Sequence, residues 1–366
     1  MKRLAILFLA LIQACISYGQ DDLTLLIGTY TGTGSEGIYS YRLNQATGDC
    51  TPLAVTRIDN PSFLTISSDS KTFFSVTEQQ EDASVSAFEL DARKGTLTLK
   101  DTRLAFGKDP CHVTFLGSEI VATNYSSGSL ISYSLDRDGS LGNEGTLVEF
   151  SGWGPVEDRQ EGSHIHSSQV SPDGKYLFVI DLGGDRIYRY PVEGGRVASY
   201  GKQMAIPVPP GEGPRHFTFS NDGRFMYVLT ELGGNVLAYA YEGGNLRLIQ
   251  KVEADPLHAS GSADIHFSPD GSFLYASNRL EGDGLAIFRQ DRETGKLSCV
   301  GYQKTGIHPR NFAITPNGQL VLVACRDSDI IQVFRRNPES GLLKDTGKDI
   351  KIPRPVCVLM TPSQED

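Results

Sequence analysis

From residue 61 to residue 362 the chain repeats itself, and a period near 48 residues rules out reading it as a row of unrelated domains. The stretch PRHFTFSNDGRFMYVLTE over 214–231 returns as PRNFAITPNGQLVLVACR over 309–326. The same frame fits starts at Pro61, Pro110, Ile165, Pro214, Ser262, Pro309 and Pro355, at intervals of 49, 55, 49, 48, 47 and 46 residues. A second marker is independent of the first. An apolar residue stands three places before an aromatic in Ile38/Tyr41, Val85/Phe88, Leu130/Tyr133, Ile187/Tyr190, Val236/Tyr239, Leu285/Phe288 and Ile331/Phe334, again seven times.

Each unit reads as a strand, a tight turn, a second strand, a third bearing the aromatic, and a fourth. The turns are Asx-Gly pairs such as Asp173-Gly174, Asp222-Gly223, Asp270-Gly271 and Asn317-Gly318, which supply the positive φ that a short hairpin needs. With 39 Gly, 15 Tyr and 17 Phe against 4 Met, composition agrees with many strands and tight turns. A lone four-stranded sheet cannot cover both faces, whereas radial packing of several can. The expected fold is therefore all-β: a seven-bladed β-propeller of four-stranded antiparallel blades. Residues 24–58 supply three strands with no first strand, and 355–362 are a first strand with nothing after it. The C-terminal strand should join the N-terminal blade and close the ring, removing free sheet edges. Length alone suggests two or three domains, but one ring makes residues 20–366 a single domain.

The first residues, Lys2 and Arg3 followed by the apolar run Leu4 to Ile12, have the pattern of an export signal rather than a membrane span. Small residues Ser17 and Gly19 place cleavage after residue 19, leaving a periplasmic or secreted protein that begins at Gln20. Cys15 follows an imperfect lipoprotein box and marks the alternative, a lipid anchor. Five further cysteines, Cys50, Cys111, Cys299, Cys325 and Cys357, have no paired spacing and read as small buried hydrophobes; one disulfide could form among them, and a metal site is not expected. A formal net charge of −10 offers no basic field for nucleic acid.

In each unit the first two strands form a hairpin, so residues just after the unit start and at the end of the second strand emerge on one rim. Starts contribute Ser62, Cys111, His112, His166, Arg215, Asp264 and Arg310; second-strand ends contribute Tyr30, Glu78, Asn124, Tyr125, Asp181, Glu231, Arg279 and Arg326. So many polar side chains suit the mouth of a central channel holding a small polar ligand. Each has a structural alternative. His166 could bond a loop, Arg215, Arg279 and Arg310 could tie neighbouring blades, and Glu231 could be their ion partner. Trp153 lies in the one long interval, within 152–162, and that loop is either a lid or a surface insertion.

The segments IHSSQVSPDG over 165–174, PRHFTF over 214–219, LYASNR over 274–279 and PRNFAI over 309–314 resemble the propeller lactonase family, which includes 6-phosphogluconolactonases of the propeller type and fungal carboxymuconate-lactonizing enzymes. The resemblance runs from about Leu25 to Pro362. It implies a catalytic set of one His, two Arg and one Glu, which falls on His166, Arg215, Glu231 and Arg279. Arg310, Arg326, Glu78, Asn124 and Asp181 are the expected substrate-binding residues around them. The expected chemistry is hydrolysis of a small sugar-acid lactone without cofactor, with Glu231 or His166 as general base and Arg215 and Arg279 stabilising an oxyanion. No Gly-x-Ser-x-Gly elbow is present, and a lactone demands no covalent nucleophile. Glu78, Asn124, Asp181 and Glu231 resemble the calcium-holding set of other propeller lactonases, but the interspersed arginines argue against a cation. Two readings stay open beside hydrolysis: closure of a muconate-type dicarboxylate to a lactone, and non-catalytic capture of a sugar acid or a partner loop.

Overall fold

The computed structural model describes residues 22–363; the expected export signal over 1–19 and Cys15 lie outside the described residues. Among the described residues the strands form seven antiparallel sheets. The inner strands of blades 2 to 7 are Leu64–Ile66, Pro110–Phe115, Ile165–Val170, Pro214–Phe219, Ser262–Phe267 and Pro309–Ile314. Blade 1 takes its inner strand from the other end of the chain, where Pro355–Pro362 pairs antiparallel with Asp22–Thr29 in the register Leu26↔Leu359. Each inner strand packs against the next in cyclic order, and Pro355–Pro362 touches both Pro309–Ile314 and Leu64–Ile66. The fold is thus a seven-bladed propeller closed by its C-terminal strand.

Five of the six starts expected within the chain are the first residue of an inner strand, as is Pro355. Pro61 is not, since its blade begins at Leu64. There Asn60 adopts φ 41° and its carbonyl accepts from Ser62 N at 2.7 Å, so the chain makes one tight turn before extending. All seven apolar–aromatic pairs lie on third strands. Blades 4 and 7 depart from four continuous strands, because the outermost one is broken in each: Arg196–Val197 and Met204–Pro207 flank a short 3-10 turn, and Leu343–Asp345 and Ile350–Lys351 flank Gly347 at φ 67°.

The core sits between blades. Seven apolar clusters each join two neighbours: Leu25 and Ile27 of blade 1 meet Leu322 and Val333 of blade 7, and Leu26 and Ile38 meet Phe73 and Phe88 of blade 2. Similar clusters fill the other five interfaces. Burying one such Leu or Phe contributes about 1.5–3 kcal/mol, and each is usable only when its neighbour blade is present. The five cysteines from Cys50 to Cys357 are free thiols, three of them buried. Among the described residues no helix is long and apolar enough to cross a membrane.

Candidate active site

Two positions recur around one end of the channel. The first is a β-bulge near the start of the inner strand: pairing skips Cys111, His166, Arg215 and Arg310, as in Pro214↔Thr230 followed by His216↔Leu229. A bulge leaves its extra residue outside the ladder and re-aims its side chain. The second is the residue just past the second strand. Its backbone N–H donates to the carbonyl of a residue preceding the inner strand in all seven blades: Tyr30→Arg354, Glu78→Asn60, Tyr125→Asp109, Leu182→His164, Glu231→Gly213, Arg279→Gly261 and Arg326→His308, at 2.7–3.1 Å. Several acceptors need positive φ to turn that carbonyl inward, among them Arg354, Asn60, Asp109, Gly213 and His308. One hydrogen bond, repeated seven times, therefore presents seven side chains to one rim.

At three of these positions the side chains meet, and a fourth, His166, lies within the electrostatic reach of Arg215. Glu231 Oε2 lies 2.8 Å from Arg215 Nε and 2.9 Å from Arg279 Nη2. Both arginines are pinned from behind by blade 6: Arg215 Nη1 donates to Ala263 O at 2.6 Å, and Arg279 Nε donates to Gly261 O at 2.8 Å. Gly261 must be small here, since a Cβ would lie 2.8 Å from Leu280 Cγ. His166 stands on the adjacent blade with Cys111 Sγ 3.8 Å from Nδ1 and the Tyr125 ring centroid at 5.5 Å. All four residues are buried, Arg215 being only 1% exposed.

Burial raises the Glu231 carboxyl, but Arg279, Arg215 and Arg159 overcome it and hold it at about 2. Burial pulls the Arg279 guanidinium down to about 9, which leaves it charged at neutral pH. Burial, followed by Arg215 and His216, pushes His166 well below its usual range, so its imidazole is neutral. The floor beneath is a second polar layer. His216 Nδ1 donates to Asp264 Oδ1 at 2.8 Å, and Asp264 Oδ2 also lies 2.8 Å from His266 Nε2. Phe63 stacks on His112 at 4.0 Å alongside.

The other expected residues divide. Arg310 lies 3.7 Å from Glu78 Oε1 and over the Tyr30 ring, whose hydroxyl donates to Glu78 Oε1 at 2.7 Å, so this pair faces the same mouth. Arg326 occupies a rim position, but its guanidinium closes on Asp327 through two 2.8 Å contacts and does not join the cluster. Asn124 and Asp181 sit one residue earlier than the rim position. Asn124 Nδ2 donates to Ala105 O, and Asp181 accepts from Ser163 Oγ, His164 N and Gly184 N, so both hold loops behind the mouth. In a strand a shift of one residue reverses the face. The rim positions of those blades belong to Tyr125 and Leu182.

Arg159 was not among the expected residues. It belongs to the 152–162 insertion, whose buried Gln160 anchors it by donating Nε2–H to Leu182 O at 2.9 Å. Arg159 Nη2 reaches Glu231 Oε1 at 2.5 Å and Tyr125 Oη at 3.2 Å, whereas Trp153 on the same loop points to solvent and is 78% exposed. The only available signal was an arginine inside the single long interval.

Comparison with known proteins agrees with this architecture. Residues 24–360 match the family model described as "Lactonase, 7-bladed beta-propeller". A 6-phosphogluconolactonase of Formosa agariphila is 37% identical over 340 residues, covering 90% of this chain and 96% of that relative. One from Bacillus subtilis is 32% identical over 342 residues, covering 91% and 96%. The solved periplasmic gluconolactonase of Pseudomonas aeruginosa superposes with a TM-score of 0.87 at 34% identity, over 94% of this chain and 100% of that one. With ring, closure and matched span in agreement, the chain belongs to the lactonase family of seven-bladed β-propellers.

Proposed function

We propose that this protein hydrolyses a sugar-acid lactone at the channel mouth. The observation that carries the reading is a neutral buried imidazole on the blade beside two guanidiniums that one carboxylate and backbone carbonyls hold in place. The names of the Formosa agariphila and Bacillus subtilis relatives support the substrate class.

Both oxygens of Glu231 are engaged by three guanidiniums, which makes it their counter-ion, whereas His166, though burial lowers its proton affinity, is neutral and stands beside them. The role of Glu231 is to orient Arg215 and Arg279, and His166 is the general base. Water adds to the lactone carbonyl carbon and gives its proton to His166. Arg215 and Arg279 stabilise the oxyanion with fixed charge-assisted donors. The ring C–O bond then breaks, the ring oxygen recovers the proton from His166, and the hydroxy acid ionises. Arg310 and Glu78 bind the sugar on the facing wall. The charged start and apolar run of residues 2–12, together with the periplasmic location in the name of the Pseudomonas aeruginosa neighbour, support export by a signal over 1–19, with 20–366 acting as one domain.

The test is acid release from glucono-δ-lactone above the spontaneous rate. Arg215→Ala should lower kcat by roughly 10²- to 10³-fold, as expected for loss of one oxyanion donor. Release no faster than the spontaneous rate would leave only a binding role for the mouth.

A further inference from the structure

Resting on the lactonase reading, the structure assigns a substrate-selecting role to Arg159: we propose that this guanidinium recognises a second anionic group, phosphate or carboxylate, on the lactone.

The charge balance of the mouth points this way. Among the described residues, four guanidiniums, Arg159, Arg215, Arg279 and Arg310, are ion-paired with two carboxylates, Glu231 and Glu78, leaving an excess of two positive charges. The carboxylate below them, Asp264, contacts His216 and His266 and also acts on Arg215 from beneath, so it trims the excess to one positive charge without cancelling it. Burying uncompensated cations is costly unless an anion joins them. A neutral lactone develops one negative charge at its reacting carbonyl, and Arg215 and Arg279 serve that charge. That charge exists only in the transition state, so in the free mouth the remaining positive charge is left for an anionic group on the ground-state substrate.

Arg159 is the member free to supply it. Arg215 and Arg279 are tied to blade 6 carbonyls and their side chains are only 2% and 8% exposed, while the Arg159 side chain is 38% exposed and is held only by Glu231 and Tyr125. It takes Glu231 Oε1, the oxygen that Arg215 and Arg279 leave, so it can rotate toward a ligand without disturbing them. Its backbone is fixed, with Arg159 N and Gln160 N both donating to Val156 O and Gln160 buried beneath. The neighbouring acids Glu157 and Asp158 face solvent, and Glu161 contacts His164. Of the charged residues on this loop, Arg159 is the one paired inside the mouth.

The experiment compares Arg159→Gln and Arg159→Lys with the wild-type protein on three lactones: 6-phosphoglucono-δ-lactone, glucaro-lactone bearing a free carboxylate, and neutral glucono-δ-lactone. For Arg159→Gln the ratio of kcat/KM on an anionic lactone to that on the neutral one should fall about 10- to 100-fold, mainly through KM, as expected for one charge-assisted contact. Arg159→Lys should recover part of that ratio. Loss confined to the phosphate substrate or to the carboxylate substrate identifies the group. Parallel loss on all three lactones overturns the proposal and makes Arg159 a prop for Glu231; an unchanged ratio overturns it equally. Calorimetry with 6-phosphogluconate, glucarate and gluconate separates this proposal from the lactonase reading. If no lactone is turned over yet the wild-type protein prefers 6-phosphogluconate or glucarate over gluconate and Arg159→Gln abolishes the preference, recognition stands and hydrolysis falls.

Discussion

The seven inner strands end in two different ways. At the end away from the candidate site, five blades use one regular turn in which a Ser or Thr hydroxyl donates to an Asx carboxyl or amide oxygen two residues on: Ser67→Asp69, Ser171→Asp173, Ser220→Asp222, Ser268→Asp270 and Thr315→Asn317, at 2.5–2.8 Å. At the candidate site the strands open into bulges and irregular loops. Among the described residues, eleven of the twelve non-glycine positions with positive φ fall on this rim, including Phe106 and Leu280, and only Ser70 lies on the other. Left-handed backbone costs a bulky residue about 1–2 kcal/mol and persists where the surroundings impose it. One rim is shaped for folding and the other for aiming side chains.

The largest expected effect comes from removing the charge at the centre of the aiming rim. Glu231→Gln leaves Arg215, Arg279 and Arg159 facing one another; activity should fall at least about 100-fold and stability by about 3–5 kcal/mol. Steady-state kinetics and urea unfolding would check it, and a variant of wild-type stability would mean that the guanidiniums are not held by this carboxylate.

Next is pH. Burial depresses His112, His166 and His216, the last to about 4, and His308 to about 3. Below pH 6.5 the unfolded chain binds protons that these folded histidines refuse, so stability must fall as pH drops from 7 toward 5, by about 2 kcal/mol at pH 5 for each of His216 and His308. His266, where burial is outweighed by Asp264 and the imidazole is raised, works in the opposite direction. Thermal unfolding followed across that range should show a falling midpoint, and a flat profile would contradict the neutral imidazoles. The acid limb of the rate profile should accordingly lie below 6.5 if His166 is the base.

A smaller effect is expected from the folding rim. Asp222→Ala removes the acceptor for Ser220 Oγ and Arg224 N; it should cost about 1 kcal/mol and leave kcat within about twofold. A large loss of activity would break the division between the rims. The smallest effect sharpens it. Ser70→Gly and Leu280→Gly each relieve a left-handed residue and should stabilise by about 1 kcal/mol or less, but only Leu280→Gly, which frees the chain beside Arg279, should lower activity.

Much of this was legible in the sequence because a repeat samples the same local rule many times. Each Asx-Gly turn is weak evidence, yet seven starts in register leave one architecture that can cover seven sheets. Legibility failed where a single residue decides. Asp181 and Leu182 differ by one place, and the bulge and hooked N–H that select Leu182 for the rim depend on the neighbouring strand and on His164 O before it. Arg326 holds a rim position by that rule and is still diverted by its neighbour Asp327.

Blade count, the closing strand and the rim on which polar side chains gather are all written in the amino-acid sequence, since turn chemistry and two-residue alternation are local and repeat. Tertiary structure alone decided that Arg159, distant from Glu231 in the chain and carried on an irregular loop, completes the charge cluster with Arg215 and Arg279. The reason is physical: ion pairing between blades depends on where guanidiniums end up in space, and no periodicity along the chain records that distance.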